Sequence, residues 1–462
     1  MFKGIAAPLI ATVSVALLIA GYAVADAHDR VPGILTLSAP VTKDFDDPAS
    51  VAPVMAEKLP EAKPWTAEQA AQVATLVEKF RADLEKDEPQ ARTSVLIVDA
   101  ASGDTLAELN SKQALQPAST TKLIASVTAL SRLGAGHRFT TSTTLSEGTV
   151  TLVAGGDQLL GAKESDPAGV RGHAGLRTLA SETAAELQKQ GVTEVSLALD
   201  DTLFGDRARG ENWVTEGNTA EEGPVAALAI NAGHVDGNEL NGFYEDPALE
   251  AAKVFKQALI SFGVKVPGEV TRAENPQGTK RLASVSSATL AEIVRELLKV
   301  SDNTLADGVC RAAGVAAGNS GDFTGQVANA RAVLEELQVP TAGLELHDCS
   351  GLSTTNRISA ATEVALLQAA ADPKNRQIRE IFAGMPVSAF DGTQATRMVD
   401  MPGAGRVRAK TGTLQFARAL AGVAVTESGH VFYLAVLVDS FTGSGFQIVS
   451  NMDEMLNSVV AL

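Results

Sequence analysis

Aromatic residues make up only 4% of this 462-residue chain, which argues against surfaces of stacked rings that bind bases or sugars. Basic residues are also scarce, because 38 Lys and Arg face 55 Asp and Glu, for a formal charge of −17. A chain with this charge is not expected to bind nucleic acid or an anionic membrane surface. At 45% hydrophobic residues, it still has enough apolar material for two or three well-filled domains.

A long apolar run occurs only at the N-terminus. Lys3 precedes an uncharged stretch from Gly4 to Ala25 that closes on small residues. This pattern predicts an export signal over residues 1–27, and the stretch is long enough to be retained as a membrane anchor instead of being cleaved. Since no later stretch could span a bilayer, we expect the folded part to work outside the cytoplasm, either secreted or tethered by this segment.

Only two cysteines occur, Cys310 and Cys349. In an exported chain a single disulfide is the expected use of such a pair, and two free buried thiols are the alternative. Asp200, Asp201 and Asp206 are better explained as a turn after a strand than as metal ligands. We therefore predict neither a metal nor a cofactor.

Changes in composition divide the chain into segments. Residues 28–65 are rich in proline and alanine, which predicts a linker. The elements that follow are typical of an α/β (α+β) protein, and we assign residues 66–154 and 284–462 to one domain with an antiparallel sheet flanked by helices. Residues 155–283 predict an inserted α/β lobe. A first helix capped by Thr66 and the C-terminal helix can then pack on one face of the sheet.

The stretch with the clearest chemistry is Ser119-Thr120-Thr121-Lys122, which follows Pro117. Pro117 is typical of a helix start, and residues three apart on a helix share one face. The Ser119 hydroxyl can therefore meet the Lys122 amine, which places a nucleophile beside a base. A lysine acts as a base only where burial and nearby positive charge keep its amine neutral. Alone this spacing is weak evidence, because it arises by chance about once or twice in a chain of this length.

Two later motifs supply partners for this pair: Ser301-Asp302-Asn303 and Lys410-Thr411-Gly412. These three motifs, in this order, occur together in class A β-lactamases and penicillin-binding proteins. Ser301 can relay the Lys122 proton toward a leaving amine, and Asn303 can hold Lys122 and the substrate amide. We interpret Asp302 as a cap or turn residue.

The third motif predicts a site for a substrate carboxylate. Lys410 would supply fixed positive charge, while Thr411 and Thr413 would offer hydroxyls. Gly412 belongs to the same predicted strand and to the substrate-binding set. The N–H groups of Ser119 and Thr413 could form an oxyanion hole.

Beyond these motifs, the sequence resembles the low-molecular-weight penicillin-binding proteins of the D-alanyl-D-alanine carboxypeptidase/endopeptidase type, which carry a large insertion between the first two motifs. The resemblance runs from about Thr93 to the C-terminus and includes four further stretches: Leu152–Asp157, Pro224–Leu228, Asp348–Ser353 and Asp391–Thr393. It implies a penicillin-binding-protein/β-lactamase-like transpeptidase domain, an acyl-enzyme on Ser119, peptidoglycan stem peptides as substrates and β-lactams as inhibitors.

The sequence departs from this family at three points. The span between the first two motifs is short, Cys349 stands where glycine is usual, and Asp307 stands where glutamate is common. A β-lactamase is one alternative, because Glu239-Leu240-Asn241 resembles the glutamate loop of class A enzymes, although here it precedes Ser301. A non-catalytic penicillin-recognising cell-wall-binding protein is another. A histidine-based serine hydrolase is disfavoured, because the chain has no Gly-x-Ser-x-Gly motif.

Overall fold

The computed structural model describes residues 64–205, 208–237 and 241–462. The predicted export segment, the predicted linker up to residue 63, Asp206 and Glu239 lie outside these residues. Within the described ranges, no helix is long and apolar enough to cross a membrane.

Strands fall at both ends of the described chain and in its middle. Their bounds in chain order are β1 Arg92–Asp99, β2 Thr105–Leu109, β3 Ala114–Leu115, β4 Thr140–Ser146, β5 Thr149–Val153, β6 Asp157–Leu160, β7 Ser196–Asp200, β8 Leu228–Ile230, β9 Thr271–Arg272, β10 Arg281–Ser286, β11 Ile358–Ser359, β12 Val407–Leu414, β13 Ala417–Val425 and β14 Val431–Asp439.

Helices separate these groups of strands. Their bounds are α1 Ala67–Asp87, α2 Lys122–Leu133, α3 Leu176–Lys189, α4 Glu211–Glu216, α5 Pro247–Ser261, α6 Leu290–Val300, α7 Asn303–Ala316, α8 Phe323–Glu336, α9 Ala360–Ala371, α10 Glu380–Gly384 and α11 Gly445–Val460. A 3₁₀ turn, Ala118–Thr121, leads directly into α2, and another, Gly392–Gln394, precedes β12.

The first sheet is antiparallel, with strand order β12-β13-β14-β1-β2, so β12 is an edge strand. One face is covered by α1 and α11, whose Phe80 and Met452 belong to the same buried cluster as Val436 of β14. The predicted cap at Thr66 is present, and it forms part of a capping box in which Thr66 and Gln69 exchange hydrogen bonds. The packing of the first and last helices on one face is therefore confirmed, as is the mixed α/β fold class.

The second sheet has strand order β10-β4-β5-β7-β9, and β7 pairs in parallel with both β5 and β9. Helices α3 and α5 pack against it and against each other. The sequence division at residue 154 cuts this sheet, because β4 and β5 lie before the division and pair with β10 and β7 beyond it. Backbone pairing thus extends the lobe's sheet to about residues 140–286, and the limits of the inserted lobe stay a prediction.

One hydrophobic core continues from the second sheet into the helices around the site. Val150 and Leu197 of this sheet share a buried cluster with Leu123 of α2 and Leu305 of α7. The core of the lobe is therefore continuous with the core beneath the site. The chain of the inserted lobe can therefore reach the site without an intervening linker.

Candidate active site

Ser119 lies in the 3₁₀ turn that opens α2. The turn is closed by two hydroxyls, because Thr120 Oγ1 donates to the Pro117 carbonyl and Thr121 Oγ1 donates to the Ala118 carbonyl, both at 2.8 Å. Lys122 Nζ lies 2.9 Å from Ser119 Oγ. The pairing expected from their spacing of three residues is present.

Gly412 and Gly351 both lie against the backbone of this turn. A Cβ on Gly412 would lie 2.5 Å from the Pro117 carbonyl oxygen, and a Cβ on Gly351 would lie 1.9 Å from that of Ala118. Ala118 itself has a φ of +48°, in the left-handed region that costs a residue with a Cβ about 1 kcal/mol or more. The backbone before Ser119 is therefore held by contact with β12 and with the loop that contains Gly351.

Lys122 is completely buried and surrounded by acceptors. Besides Ser119 Oγ, its Nζ donates to Asn303 Oδ1 at 2.5 Å and to the Ser350 carbonyl at 2.6 Å. Burial lowers the pKa of Lys122 from 10.5 to about 8, against the opposing effect of nearby carboxyl groups. An amine with this pKa is neutral in a useful fraction near neutral pH, as a general base requires.

Ser301 and Asn303 flank the junction between α6 and α7. Ser301 ends α6 with a φ of +63°, and Asp302 caps α7 by accepting from Leu305 N at 3.0 Å. The interpretation of Asp302 as a cap is confirmed. Ser301 lines the same cleft as Ser119, but within the described chain it makes no hydrogen bond with Lys122.

The edge strand β12 forms the opposite wall of the site. Because neighbouring strand residues point to opposite faces, Lys410 and Gly412 share the face toward Ser119, while Thr411 and Thr413 share the other. Lys410 is fully buried, and its Nζ donates to the Thr411 carbonyl at 2.9 Å. Burial, together with the charge of Lys122, holds the pKa of Lys410 well below its usual value. This environment does not favour the fixed charge expected from the sequence.

Ser119 opens onto a cleft of about 820 Å³. Its lining includes all the predicted site residues with side chains at the surface, together with residues from α11 and from the lobe: Ser119, Ser301, Asn303, Thr411, Gly412, Thr413, Asn218, Glu221, Thr393, Arg397, Arg418 and Phe446. Lys122 and Lys410 lie beneath this surface. A cleft of this size suits an extended peptide rather than a single amino acid.

The sequence reasoning missed Arg418, which stands opposite Thr413 in the antiparallel register. Directly opposed residues share a face, so the guanidinium lies on the Thr413 side of the sheet. It donates to the carbonyls of Leu414 and Ala417, the latter at 2.8 Å, and burial lowers its pKa. An arginine five residues beyond Thr413, across a two-residue turn, was the signal available in the sequence.

Cys310 of α7 and Cys349 form a disulfide, which confirms the predicted pairing. Among the described residues there is no group of acidic, histidine or cysteine side chains able to hold a metal. Asp200 accepts from the backbone of Thr202 and Asn275, and Asp201 pairs with Arg272 at 3.0 Å. The bond from Thr202 N to Asp200 is the local contact that a turn supplies, whereas Asn275 and Arg272 are partners distant in sequence.

The fold is one that penicillin-binding proteins have. Penicillin binding protein 4 from Haemophilus influenzae has the same fold, with a TM-score of 0.69 and 20% identity over 82% of this chain and 99% of that one. The same Haemophilus protein complexed with a β-lactam gives a TM-score of 0.66, with 19% identity over 82% of this chain and 99% of that one.

The particular family follows from sequence comparison. The model of the D-Ala-D-Ala carboxypeptidase 3 (S13) family matches residues 76–242 and 236–459, and the chain belongs to that family. A carboxypeptidase of Mycobacterium tuberculosis is 31% identical over 74% of this chain and 75% of its own length. A D-alanyl-D-alanine carboxypeptidase of an Actinomadura strain is 28% identical over 75% of this chain and 77% of its own. The protein is thus a serine-type D-alanyl-D-alanine carboxypeptidase, as the resemblance implied.

Proposed function

We propose that Ser119 is the nucleophile of this carboxypeptidase and that Lys122 is its general base. The observation that carries this proposal is the buried contact of Lys122 Nζ with Ser119 Oγ at 2.9 Å. Lys122 accepts the hydroxyl proton as Ser119 Oγ attacks the carbonyl carbon of the scissile bond. The ammonium that results is stabilised by Asn303 Oδ1 and the Ser350 carbonyl.

The proton then goes to the leaving amine. Ser301 lines the cleft and is the proposed relay, by rotation of its hydroxyl. The acyl-enzyme on Ser119 is released by water, which re-forms the serine hydroxyl. The N–H groups of Ser119 and Thr413 are the proposed oxyanion hole, which fits the position of Thr413 on an edge strand beside the Ser119 turn.

The leaving residue should carry a free carboxylate. Thr411 and Thr413 offer hydroxyls to it, Arg418 lies on the same face as Thr413, and Lys410 lies beneath them. An anion brought to this wall would also favour the protonated form of Lys410, because opposite charge raises the pKa of a lysine. Peptidoglycan stem peptides ending in D-alanine have this chemistry, and cross-linked peptides with a D-centre carboxylate would bind in the same way.

β-Lactams present a strained amide and a carboxylate to the same groups, so we propose that they acylate Ser119. A substrate of this kind places the enzyme outside the cytoplasmic membrane. Export by the segment over residues 1–27, whether cleaved or retained as an anchor, would deliver it there. Residues 66–154 and 284–462 would form the peptidase domain, with the lobe joined to it through the second sheet.

Acylation by penicillin tests this assignment. Intact-mass spectrometry should show one adduct, which peptide mapping places on Ser119, and a folded Ser119→Ala variant should show none. Normal labelling of that variant would refute the assignment. A slowly hydrolysed adduct is expected of a carboxypeptidase, whereas rapid turnover of penicillin would indicate the β-lactamase alternative, and failure to cleave D-alanyl-D-alanine peptides would indicate a binding protein.

A further inference from the structure

A segment of the inserted lobe reaches under the catalytic cleft. After α4, the chain from Asn218 to Val225 passes along the start of α7, where Gly223 N donates to Thr304 Oγ1 at 3.3 Å. Asn218 and Glu221 line the cleft, whereas Glu222 turns inward and is completely buried. We call residues 218–225 the lobe arm.

The lobe arm directly fixes Asn303, one of the two acceptors that Lys122 has besides Ser119 Oγ. Asn303 Oδ1 accepts from Lys122 Nζ, and Asn303 Nδ2 donates to the Glu221 carbonyl at 2.8 Å. Both ends of the Asn303 amide are thereby used. A shift of the Glu221 backbone would rotate this amide and change the position of the lysine.

The second acceptor, the Ser350 carbonyl, is held through Asp307. Asp307 Oδ1 accepts from Cys349 N at 2.7 Å and from Gln326 Nε2 at 2.5 Å. Cys349 directly precedes Ser350, so Asp307 holds the peptide segment that presents the Ser350 carbonyl to Lys122. The disulfide between Cys310 and Cys349 ties the same segment to α7.

Asp307 and Glu222 contain buried carboxyl oxygens that lack a hydrogen-bond partner within the described chain. Asp307 Oδ2 and both carboxyl oxygens of Glu222 have no hydrogen-bond donor within the described chain. The Glu222 and Asp307 side chains are close enough to act on each other. Two ionised carboxylates in this position would repel each other without screening by water. A single proton on Glu222 removes that repulsion and provides a donor for Asp307 Oδ2.

We propose that Glu222 is a positioning residue, a neutral carboxylic acid that donates a hydrogen bond to ionised Asp307 and so holds the Cys349–Ser350 segment against Lys122. Through Glu221 and Glu222, the inserted lobe then fixes both acceptors that orient the lysine. This inference rests on the proposed role of Lys122 as the base. It assigns the lobe a part in catalysis that the three motifs do not contain.

The charges around Glu222 agree with this assignment. Burial and the neighbouring carboxylates of Asp307 and Asp348 raise its pKa well above the usual value, while Lys122 opposes them. The pKa of Asp307 rises only to about 6, because Cys349 N and other donors stabilise its charge. Arg311 of α7 also acts on both carboxyl groups. Of the two carboxyl groups, Glu222 is therefore the one that holds a proton more readily.

Two substitutions at Glu222 test whether this residue acts as a neutral hydrogen-bond donor or as a negative charge. Glu222→Gln keeps a donor of similar size, whereas Glu222→Leu leaves Asp307 Oδ2 without one. Single-turnover acylation of the full chain by a fluorescent penicillin is measured from about pH 5 to pH 9. The glutamine variant should stay within about threefold of wild type, and the leucine variant should acylate at least about tenfold more slowly, as expected when a buried acceptor next to the base loses its donor.

Infrared difference spectroscopy measures the protonation of Glu222 without any catalysis. At neutral pH, Glu222→Gln should remove a carbonyl band of a protonated carboxylic acid. Asp157→Asn, a matched change at another buried carboxyl group whose pKa is raised, should leave the band assigned to Glu222 in place.

The outcomes distinguish this inference from the proposed function. Acylation by Glu222→Gln that is as slow as that of Glu222→Leu, or a spectrum unchanged by Glu222→Gln, overturns the inference even if Lys122 is essential. Normal acylation by Lys122→Ala overturns the proposed base itself. If Glu222→Leu does not fold, the glutamine variant and its spectrum still decide between a neutral and an ionised Glu222.

Discussion

Two lysines lie on opposite walls of the same cleft, both without exposed surface, yet their surroundings differ. Lys122, on the helix wall, has three oxygen acceptors and feels nearby carboxyl groups. Lys410, on the strand wall, donates to the Thr411 carbonyl and feels the charge of Lys122. Equal burial therefore gives unequal basicity, and the difference comes from which charges each wall contains.

This contrast indicates separate roles. Carboxyl groups keep the pKa of Lys122 near 8, where the amine can both accept and return a proton during one reaction cycle. Lys410 has no carboxylate among the groups that set its pKa, so we infer that a substrate anion would favour its charged form. On this view the helix wall has its base in place before the substrate binds, whereas the strand wall gains its charge when the substrate binds.

The largest expected effect comes from removing the base. Lys122→Ala and Lys122→Arg should slow acylation by about a hundredfold or more, since general-base assistance contributes roughly 10² to 10⁴. The measurement is single-turnover acylation by penicillin, with thermal unfolding to verify the fold. Near-normal acylation by both variants would mean that another group takes the proton from Ser119.

The same lysine should destabilise the folded protein. Its pKa is lowered from 10.5 to about 8, so between these values the unfolded chain binds more protons and stability rises with pH. Below about pH 8 the whole penalty is present and is on the order of 2–4 kcal/mol. Lys122→Met should therefore be more stable than wild type in urea unfolding near neutral pH, with a flatter pH dependence. Equal stability at all pH values would contradict the lowered pKa.

The strand wall should act through the substrate carboxylate. Replacing the terminal carboxylate of a D-alanyl-D-alanine peptide with an amide should lower kcat/KM by at least about tenfold, because a charge-assisted hydrogen bond contributes about 1.5–3 kcal/mol. Lys410→Ala should erase most of this discrimination, whereas residual activity of Lys122→Ala should retain it. Equal cleavage of acid and amide by wild-type enzyme would show that the carboxylate wall is misassigned.

The smallest expected effect is that of Lys410→Ala on the pH midpoint of acylation. If Lys410 is neutral in the free enzyme, Lys410→Ala should leave the pH midpoint of acylation within about 0.3 of a unit of wild type, because a neutral neighbour exerts no charge repulsion. The midpoint is read from acylation rates between about pH 6 and pH 10. A clear rise in the midpoint would show that Lys410 carries a charge before substrate binds.

Local signals made much of the fold predictable. Turn residues and caps in the sequence mark the ends of the strand Thr105–Leu109 and the helix Ala360–Ala371. The helix Leu290–Val300 likewise begins at a capping box formed by Thr289 and Glu292. Pairing between distant strands is not encoded locally, which is why nothing in the sequence indicated that β4 and β5 pair with β10 and β7 across residue 154.

Only the part of the site formed by the three motifs could be predicted from the sequence. The residues of the three motifs lie around one cleft, and their spacing alone placed Ser119 and Lys122 in contact. Glu222 had no sequence signal, because its burial depends on α7 packing over the lobe arm. The low basicity of Lys410 was equally hidden, since it follows from tertiary burial and from a lysine far away in sequence.

The contacts of Gly351 and Gly412 with the Ser119 turn also bear on how this enzyme can change. Both glycines meet backbone atoms, which cannot move aside as a flexible side chain can, so any larger residue there would displace the nucleophile itself. Residues at the rim carry no such restriction, and Phe446 is 87% exposed at the mouth of the cleft. Variation that alters the choice of peptide or antibiotic is therefore expected to accumulate at the rim, while the floor beneath Ser119 stays unchanged.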